Sequence, residues 1–367
     1  METNPQAFRP IDFPEIPGSD SWIRLSEVTA GDSAERKFYV KDNENRRYFL
    51  HIADCHAYDR KKNEYDFLTR IHQSGAAVPQ PIAFGLCNRG RSLFLQTSWV
   101  YGRTSTKELP KLDRCKQYAL GVDAALCLKR IHCCQVPARN SAWEQQQLSR
   151  IAAVRDDLRR WEKRGNRCLQ AHRFLERIAD DLASVGGLLA GRPIRLLHGG
   201  FHTENIILSF ENSLSLIDLE NWQYGDPLFD LATALTQIRQ ISLPCAIGVL
   251  DGYFAFLVSD RELRLLRFYS GLDMLEGLVQ PERQLRRSGG DIVPFMAFMK
   301  DYQNGRELCP TWYKRMRLPG QPARCNRKKA TTVRGGAAGA RCAAEPAGSR
   351  CAEIPADHAS PPDKPAD

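Results

Sequence analysis

The amino-acid sequence predicts an α+β fold in two lobes, a small antiparallel β-sheet followed by a larger, mainly helical part. Three observations lead there. The first hundred residues carry short apolar segments broken by polar turns, with one helical stretch among them. From residue 118 onward, apolar residues recur every three to four positions instead. The chain's 367 residues also exceed the roughly 250 to 300 at which a single core stops growing. The resulting division is an N-terminal segment 1–19, a sheet lobe 20–100, a helical lobe 101–318 and a tail 319–367.

Trp22 to Val28 and Phe38 to Val40 read as two strands flanking the polar loop from Thr29 to Arg36. A glycine-bearing loop of this kind is either a plain hairpin or a cover whose backbone N–H groups face phosphates, with Gly31 and Ser33 as the contacts. Arg47 to Ile52 is the next strand and carries His51. Asp59 to His72 places Tyr65, Leu68 and His72 at helical spacing. Glu64 within it is either a surface acid paired at i, i+4 with Arg60 or an acid presented to the cation position of the preceding strand at His51. Gly75 to Pro81 ends that helix, Ser92 to Val100 reads as a buried strand, and Tyr101-Gly102 turns out of it.

Tyr118 to His132 opens the helical lobe, with Leu120, Ala124, Cys127 or Leu128, and Ile131 on one face. His132 closes it as a donor suited to the carbonyl-rich helix end. Leu148, Ile151, Val154, Leu158 and Trp161 then repeat at helical spacing. After a break at Gly165-Asn166, Leu175, Ile178, Leu182 and Val185 do the same, which predicts two antiparallel amphipathic helices. Asp226-Pro227 is a helix start with an acid at the cap and Pro in the first turn, continued by Leu228 to Ile238. Further helices are expected over Pro244 to Leu257, Glu262 to Leu278 and Pro294 to Tyr302. Residues 319–367 hold no Leu, Phe, Met, Trp or Tyr and cannot offset their ordering entropy, so this tail is expected to be disordered.

Composition narrows the function. No run of about 18 apolar residues exists, so no membrane span is expected. The N-terminus lacks a basic segment followed by an apolar one, which leaves the cytoplasm as the default compartment. Twelve cysteines are scattered without a C-x-x-C pair and read as reduced, mostly buried thiols. The net charge of +9 is spread between the helical middle and a cluster at Arg324, Arg327, Lys328 and Lys329. It forms no single basic face, so no nucleic-acid partner is expected. Nothing in the residues fixes a monomer or a dimer.

The chemistry lies in Leu196 to Asp230. An apolar run breaks at Gly199-Gly200 into a polar loop ending at Asn205, and a strand Ile206 to Leu208 follows. The turn Glu211-Asn212-Ser213 leads to a second strand, Leu214 to Ile217, which delivers Asp218. Such a unit can hold an amide oxygen and a carboxylate side by side, as one Mg²⁺ with phosphate oxygens requires. Kinase-type phosphotransferases place a catalytic Asp, an Asn five residues later, and a metal-binding Asp after the next hairpin.

With His198-Gly199, His202, Asn205, Ile217-Asp218 and Gly225-Asp226-Pro227-Leu228-Phe229-Asp230, the chain resembles the aminoglycoside phosphotransferase family over about residues 20 to 317. The resemblance implies a protein-kinase-like fold that binds ATP (or GTP) with Mg²⁺, the metal held by Asn205 and Asp218. It implies that Gly31, Ser33, His51 and Glu64 meet the nucleotide side and that His198 fixes the loop. It departs from the family at two places. Gly200 stands where the family carries the catalytic Asp, and a glycine there permits backbone angles that Asp tolerates less well. His51 stands where the family carries Lys or Arg; near its reference pKa of about 6.5 it is mostly uncharged at pH 7 and has less reach.

His202 and Glu204 are the groups in the same loop that can replace the missing base, Glu204 being expected to point elsewhere. Glu220 suits a cationic acceptor, while Asp226 and Asp230 read as structural. The implied partner is a small-molecule hydroxyl acceptor: an antibiotic, an amino sugar, or a choline-like or homoserine-like alcohol. Two functions follow, a slow ATP-dependent O-phosphotransferase or a pseudokinase that binds nucleotide without transfer.

Overall fold

The alternation of the first hundred residues builds a five-stranded antiparallel sheet in the computed structural model, which describes residues 13–29, 35–134, 143–166, 168–184, 187–211, 213–279 and 292–315. Gly31, Ser33, Asn212, Val185 and the tail 319–367 lie outside the described residues. The strands are β1 (Trp22–Glu27), β2 (Arg36–Asp42), β3 (Arg47–Asp54), β4 (Pro81–Cys87) and β5 (Ser92–Ser98), in the order β1-β2-β3-β5-β4. Period-two side-chain alternation gives the sheet two distinct faces. Phe38, Val40, Leu50 and Ile52 point to one side and form a core with Phe13, Ile16 and Trp22. Lys37, Phe49, His51, Leu95 and Thr97 take the other side, toward the helical lobe.

Helix α1 (Tyr58–Gln73) follows β3 and buries Phe67, Leu68 and Ile71 in the large core of the helical lobe rather than under the sheet. It is also tied to the segment after Asp218. Arg60 Nη2 donates to Glu220 O at 2.7 Å, and the Phe67 ring meets Trp222 at 4.9 Å between centroids.

Beyond β5 the chain runs through a two-residue strand β6 (Arg103–Thr104) and a short helix α2 (Ser105–Glu108) into α3 (Arg114–His132), α4 (Trp143–Lys163) and α5 (Leu169–Ser184). Four three-residue strands follow: β7 (Arg195–Leu197), β8 (Ile206–Leu208), β9 (Leu214–Leu216) and β10 (Gln223–Gly225). Helices α6 (Pro227–Ile241), α7 (Leu243–Phe254), α8 (Asp260–Val279), α9 (Ile292–Asp301) and α10 (Thr311–Arg315) complete the lobe. Among the described residues, no helix is long and apolar enough to cross a membrane.

Every expected helix is present, and Asp226 caps α6 by accepting from Leu228 N at 3.0 Å. In α4 the buried face holds Trp143, Gln147, Ile151, Val154, Leu158 and Trp161. Leu148 is exposed, and the buried stripe instead begins at Trp143 and passes through Gln147. β6, α2 and β10 have no counterpart in the sequence reading, because two to four residues carry no period. Cys87, Cys127, Cys168, Cys245 and Cys309 are buried free thiols, and burial pushes Cys245 up to about 12.

Candidate active site

The β8–β9 hairpin is the base of the site. Ile206 pairs with Leu216, and the ladder extends one step further, where Ile217 N donates to Asn205 O at 2.9 Å. This bond places the backbones of Asn205 and Ile217 side by side at the open end of the hairpin, with Asp218 next in line. Asp218 adopts φ +68°, a left-handed conformation that Asp and Asn enter more readily than other side chains. Its Oδ1 accepts from Glu220 N at 3.3 Å, which turns the chain back toward α1.

The loop before Asn205 is held from below. Asp230, on the first turn of α6, accepts from His198 N at 2.6 Å and from Gly199 N at 3.0 Å. His132 Nε2 lies 3.2 Å from the same carboxylate, and its Nδ1 is 2.7 Å from Tyr253 Oη. His132 is therefore buried against the loop's anchor rather than capping α3 toward solvent, a correction to the sequence reading. Buried charge needs partners of this kind, and the structural role expected of Asp230 is the one it has. Asp226 does the same one turn earlier, accepting from both Arg192 Nε and Nη2 and from Tyr269 Oη.

Gly199 has φ +76°, and a Cβ there would fall 1.9 Å from Asn221 O, so this position excludes any side chain. Gly200 is different. Its φ is not left-handed, and a Cβ there would meet Asn205 Nδ2 at 3.0 Å. The obstacle to Asp at 200 is thus a side-chain contact rather than the backbone angles expected from sequence. His198 is fully enclosed and its Nδ1 accepts from Gly200 N at 3.2 Å. Burial pulls its pKa down against the opposing charges of Asp230 and Asp218.

A cavity of about 680 Å³ separates sheet from hairpin. The structure brings His51, Glu64, Asn205 and Asp218 to its wall, together with Glu204, which the sequence reading turned away. Phe49, Leu95, Trp99 and Val100 give it an apolar end, and Lys37 and Glu220 form an ion pair at 3.2 Å across the two lobes. His202 does not line this cavity; its Nε2 lies 3.4 Å from Asn205 Nδ2.

Glu64 is neither a surface acid nor a partner of His51. It is buried and pairs with Lys61 of its own helix at 2.9 Å. Lys61, 2% exposed, also reaches Glu35 at 2.8 Å, and Glu35 in turn lies 3.2 Å from His51 Nδ1. Burial pushes Glu35 up, but the His51 hydrogen bond and the Lys61 charge outweigh it and hold the carboxyl at about 2. Glu64 moves the other way, because its burial outweighs the attraction of Lys61. Lys61 stays above its ordinary value because the two carboxylates overcome its desolvation. Lys37, Lys61 and Glu35 escaped the sequence reading. The parity of β2 was a signal for Lys37, since strand alternation puts it on the same face as His51.

The donors fit a hard cation escorting a polyphosphate. Asn205 spends its carboxamide nitrogen on Gly200 O at 3.0 Å. Its Oδ1 accepts no hydrogen bond among the described residues, and oxygen is what Mg²⁺ takes. The Asp218 carboxylate faces the same cavity.

A family model described as phosphotransferase enzyme family matches residues 26–272. No curated protein matches the sequence. Among solved structures, a choline/ethanolamine kinase family protein from Mesorhizobium loti has 16% identity and a TM-score of 0.53, covering 82% of this chain and 96% of its own. The GDP complex of aminoglycoside 2'-phosphotransferase-IIIa gives 13%, 0.54, 77% and 94%. Amicoumacin kinase hAmiN, in complex with AMP-PNP, Ca2+ and Ami, gives 15%, 0.52, 78% and 90%. At these identities the likeness is one of fold.

Proposed function

Since this chain belongs to the phosphotransferase enzyme family, we propose that it binds a magnesium nucleotide, ATP or GTP, in the interlobe cavity and transfers phosphate slowly to the hydroxyl of a small molecule. The observation that carries this reading is the Ile217 N to Asn205 O bond, which sets a carboxamide and an acid at one end of a hairpin beside one cavity. When bound, the nucleotide supplies the phosphoryl group, and its metal neutralises charge on the phosphate oxygens. Asn205 and Asp218 hold that metal. Phe49, Leu95, Trp99 and Val100 enclose the base.

Phosphoryl transfer runs through a loose transition state, so positioning and charge carry most of the catalysis. A general base adds about 10²- to 10⁴-fold. Gly200 contributes no side chain to that task, and Glu204, on the cavity wall, is the group we assign to take the acceptor's hydroxyl proton. The same glycine favours the second reading, a pseudokinase that keeps the nucleotide and transfers nothing.

Thermal unfolding with millimolar Mg·ATP or Mg·GTP tests both, because a ligand specific for the folded state raises the midpoint, by about 2.7 kcal/mol of stability at a hundred times Kd. A midpoint unmoved by either nucleotide defeats both readings. Nucleoside diphosphate release that rises with one alcohol from a panel of antibiotics, amino sugars, choline and homoserine selects the enzyme; release that stays at background with every alcohol selects the pseudokinase.

A further inference from the structure

We infer that Lys37, on β2, is the cation that meets the nucleotide's phosphates, replacing the β3 side chain at His51; this rests on the nucleotide-binding reading above. In the sheet Lys37 pairs with His51, and His51 with Leu95, so the three form one rung across β2, β3 and β5. All three line the cavity. Moving a cation from the middle of this rung to its end keeps it on the same face, one strand spacing of about 4.8 Å away.

The flexible four-carbon stem of lysine covers that distance. His51 meanwhile faces Glu35, which ties it to Lys61 and, through Lys61, to Glu64 on α1.

One further feature singles out Lys37, and the other cations nearby are otherwise engaged or placed. Its ammonium crosses the cleft to Glu220 Oε2 at 3.2 Å, two residues past Asp218. An anionic oxygen beside the metal-holding acid is the environment a phosphate group would offer, so the carboxylate holds the ammonium in place until phosphate exchanges for it. Lys61 cannot take the role, because Glu35 and Glu64 enclose it and it does not reach the cavity wall. Arg103, Lys107 and Lys111 also line the cavity, but they lie on β6, on α2 and just after it, and Arg103 and Lys111 are engaged by Glu108.

The test compares the affinities of adenosine, ADP and ATP for the full chain, measured calorimetrically with Mg²⁺ present. Lys37→Met keeps the stem and removes the charge. It is expected to weaken ATP and ADP by at least about tenfold, the loss of one charge-assisted hydrogen bond, to leave adenosine unchanged, and to be rescued by Lys37→Arg. ATP bound as in the unmodified chain, or adenosine and ATP weakened alike, would overturn the inference. If Lys37→Met does not fold, Glu220→Gln decides. Tighter ATP binding, from an ammonium released from its competitor, supports the assignment, and unchanged or weaker binding overturns it. An unmodified chain that binds none of the three ligands removes the nucleotide reading itself, whereas one that binds ATP normally while Lys37→Met does too removes only Lys37.

Discussion

The two sides of the cleft are built by different rules. On the helical side, Asn205 and Asp218 occupy fixed steps of one tight hairpin, and the left-handed φ of Asp218 leaves little freedom to shift the acid along the chain. On the sheet side, the polar groups lie on three elements: Lys37 on β2, His51 on β3, and Lys61 with Glu64 on α1. A sheet face offers neighbouring positions of equal orientation, so a cation can move by one strand and still face the same space. A hairpin mouth offers no such equivalent. The difference teaches that a missing residue in a hairpin motif is a loss, whereas one in a sheet face invites a search along the rung.

The sharpest way to break this contrast is at Lys61. Lys61→Met leaves Glu35 and Glu64 buried without their shared partner, and removal of one member of a buried pair costs about 3 to 5 kcal/mol. Urea unfolding should show that loss; a change below about 1 kcal/mol would mean the cluster is solvated and the charges on the sheet side are not interlocked. On the hairpin side, Gly200→Asp should raise acceptor-dependent turnover by about 10²-fold. It requires Asn205 to give by only a few tenths of an ångström, because its contact is with a side chain. A folded variant with unchanged turnover would count against the assignment of the missing base to this position.

Acid titration gives the next effect. Glu35 is held at about 2, below an ordinary 4.5, so its contribution is complete above pH 4.5 and is lost as pH falls toward 2. After allowance for partial solvent screening, this is about 2 kcal/mol. Glu64, shifted upward, works in the opposite direction, so the difference between the unmodified chain and Glu35→Gln isolates the term. Denaturant midpoints that differ by a constant amount from pH 6 to pH 2 would refute it. The smallest effect is expected for His51→Lys. With Glu35 at 3.2 Å and Lys37 already in the rung, nucleotide affinity should change by less than about tenfold. A larger gain would return the phosphate contact to β3.

The fold was legible because its elements are long enough to show a period. Asp59 to His72 and Asp226-Pro227 with the helix that follows were read nearly to the residue, as α1 and α6 show. The hairpin was legible because its chemistry depends on sequence spacing. The sheet side was not, since strand pairing decides which side chains are neighbours: Lys37 and His51 are fourteen positions apart in sequence and adjacent in space. The partner of Glu64 was not legible for a related reason. Whether an acid in a helix faces solvent or the interior is set by what packs on it, here the Glu35 and Lys61 that neither helical periodicity nor composition reveals.

The ties between α1 and the segment after Asp218 have a mechanical consequence. Arg60 on the carbonyls of Glu220 and Trp222, with Phe67 stacked edge-on against Trp222, fastens the back of the small lobe to the strip that carries the acid. Spectroscopic labels on α1 and on that strip are expected to keep the same separation with and without nucleotide. The Ile217 N to Asn205 O bond holds the same strip to the hairpin, so α1 shares the footing of the helical lobe and the acid stays beside the carboxamide.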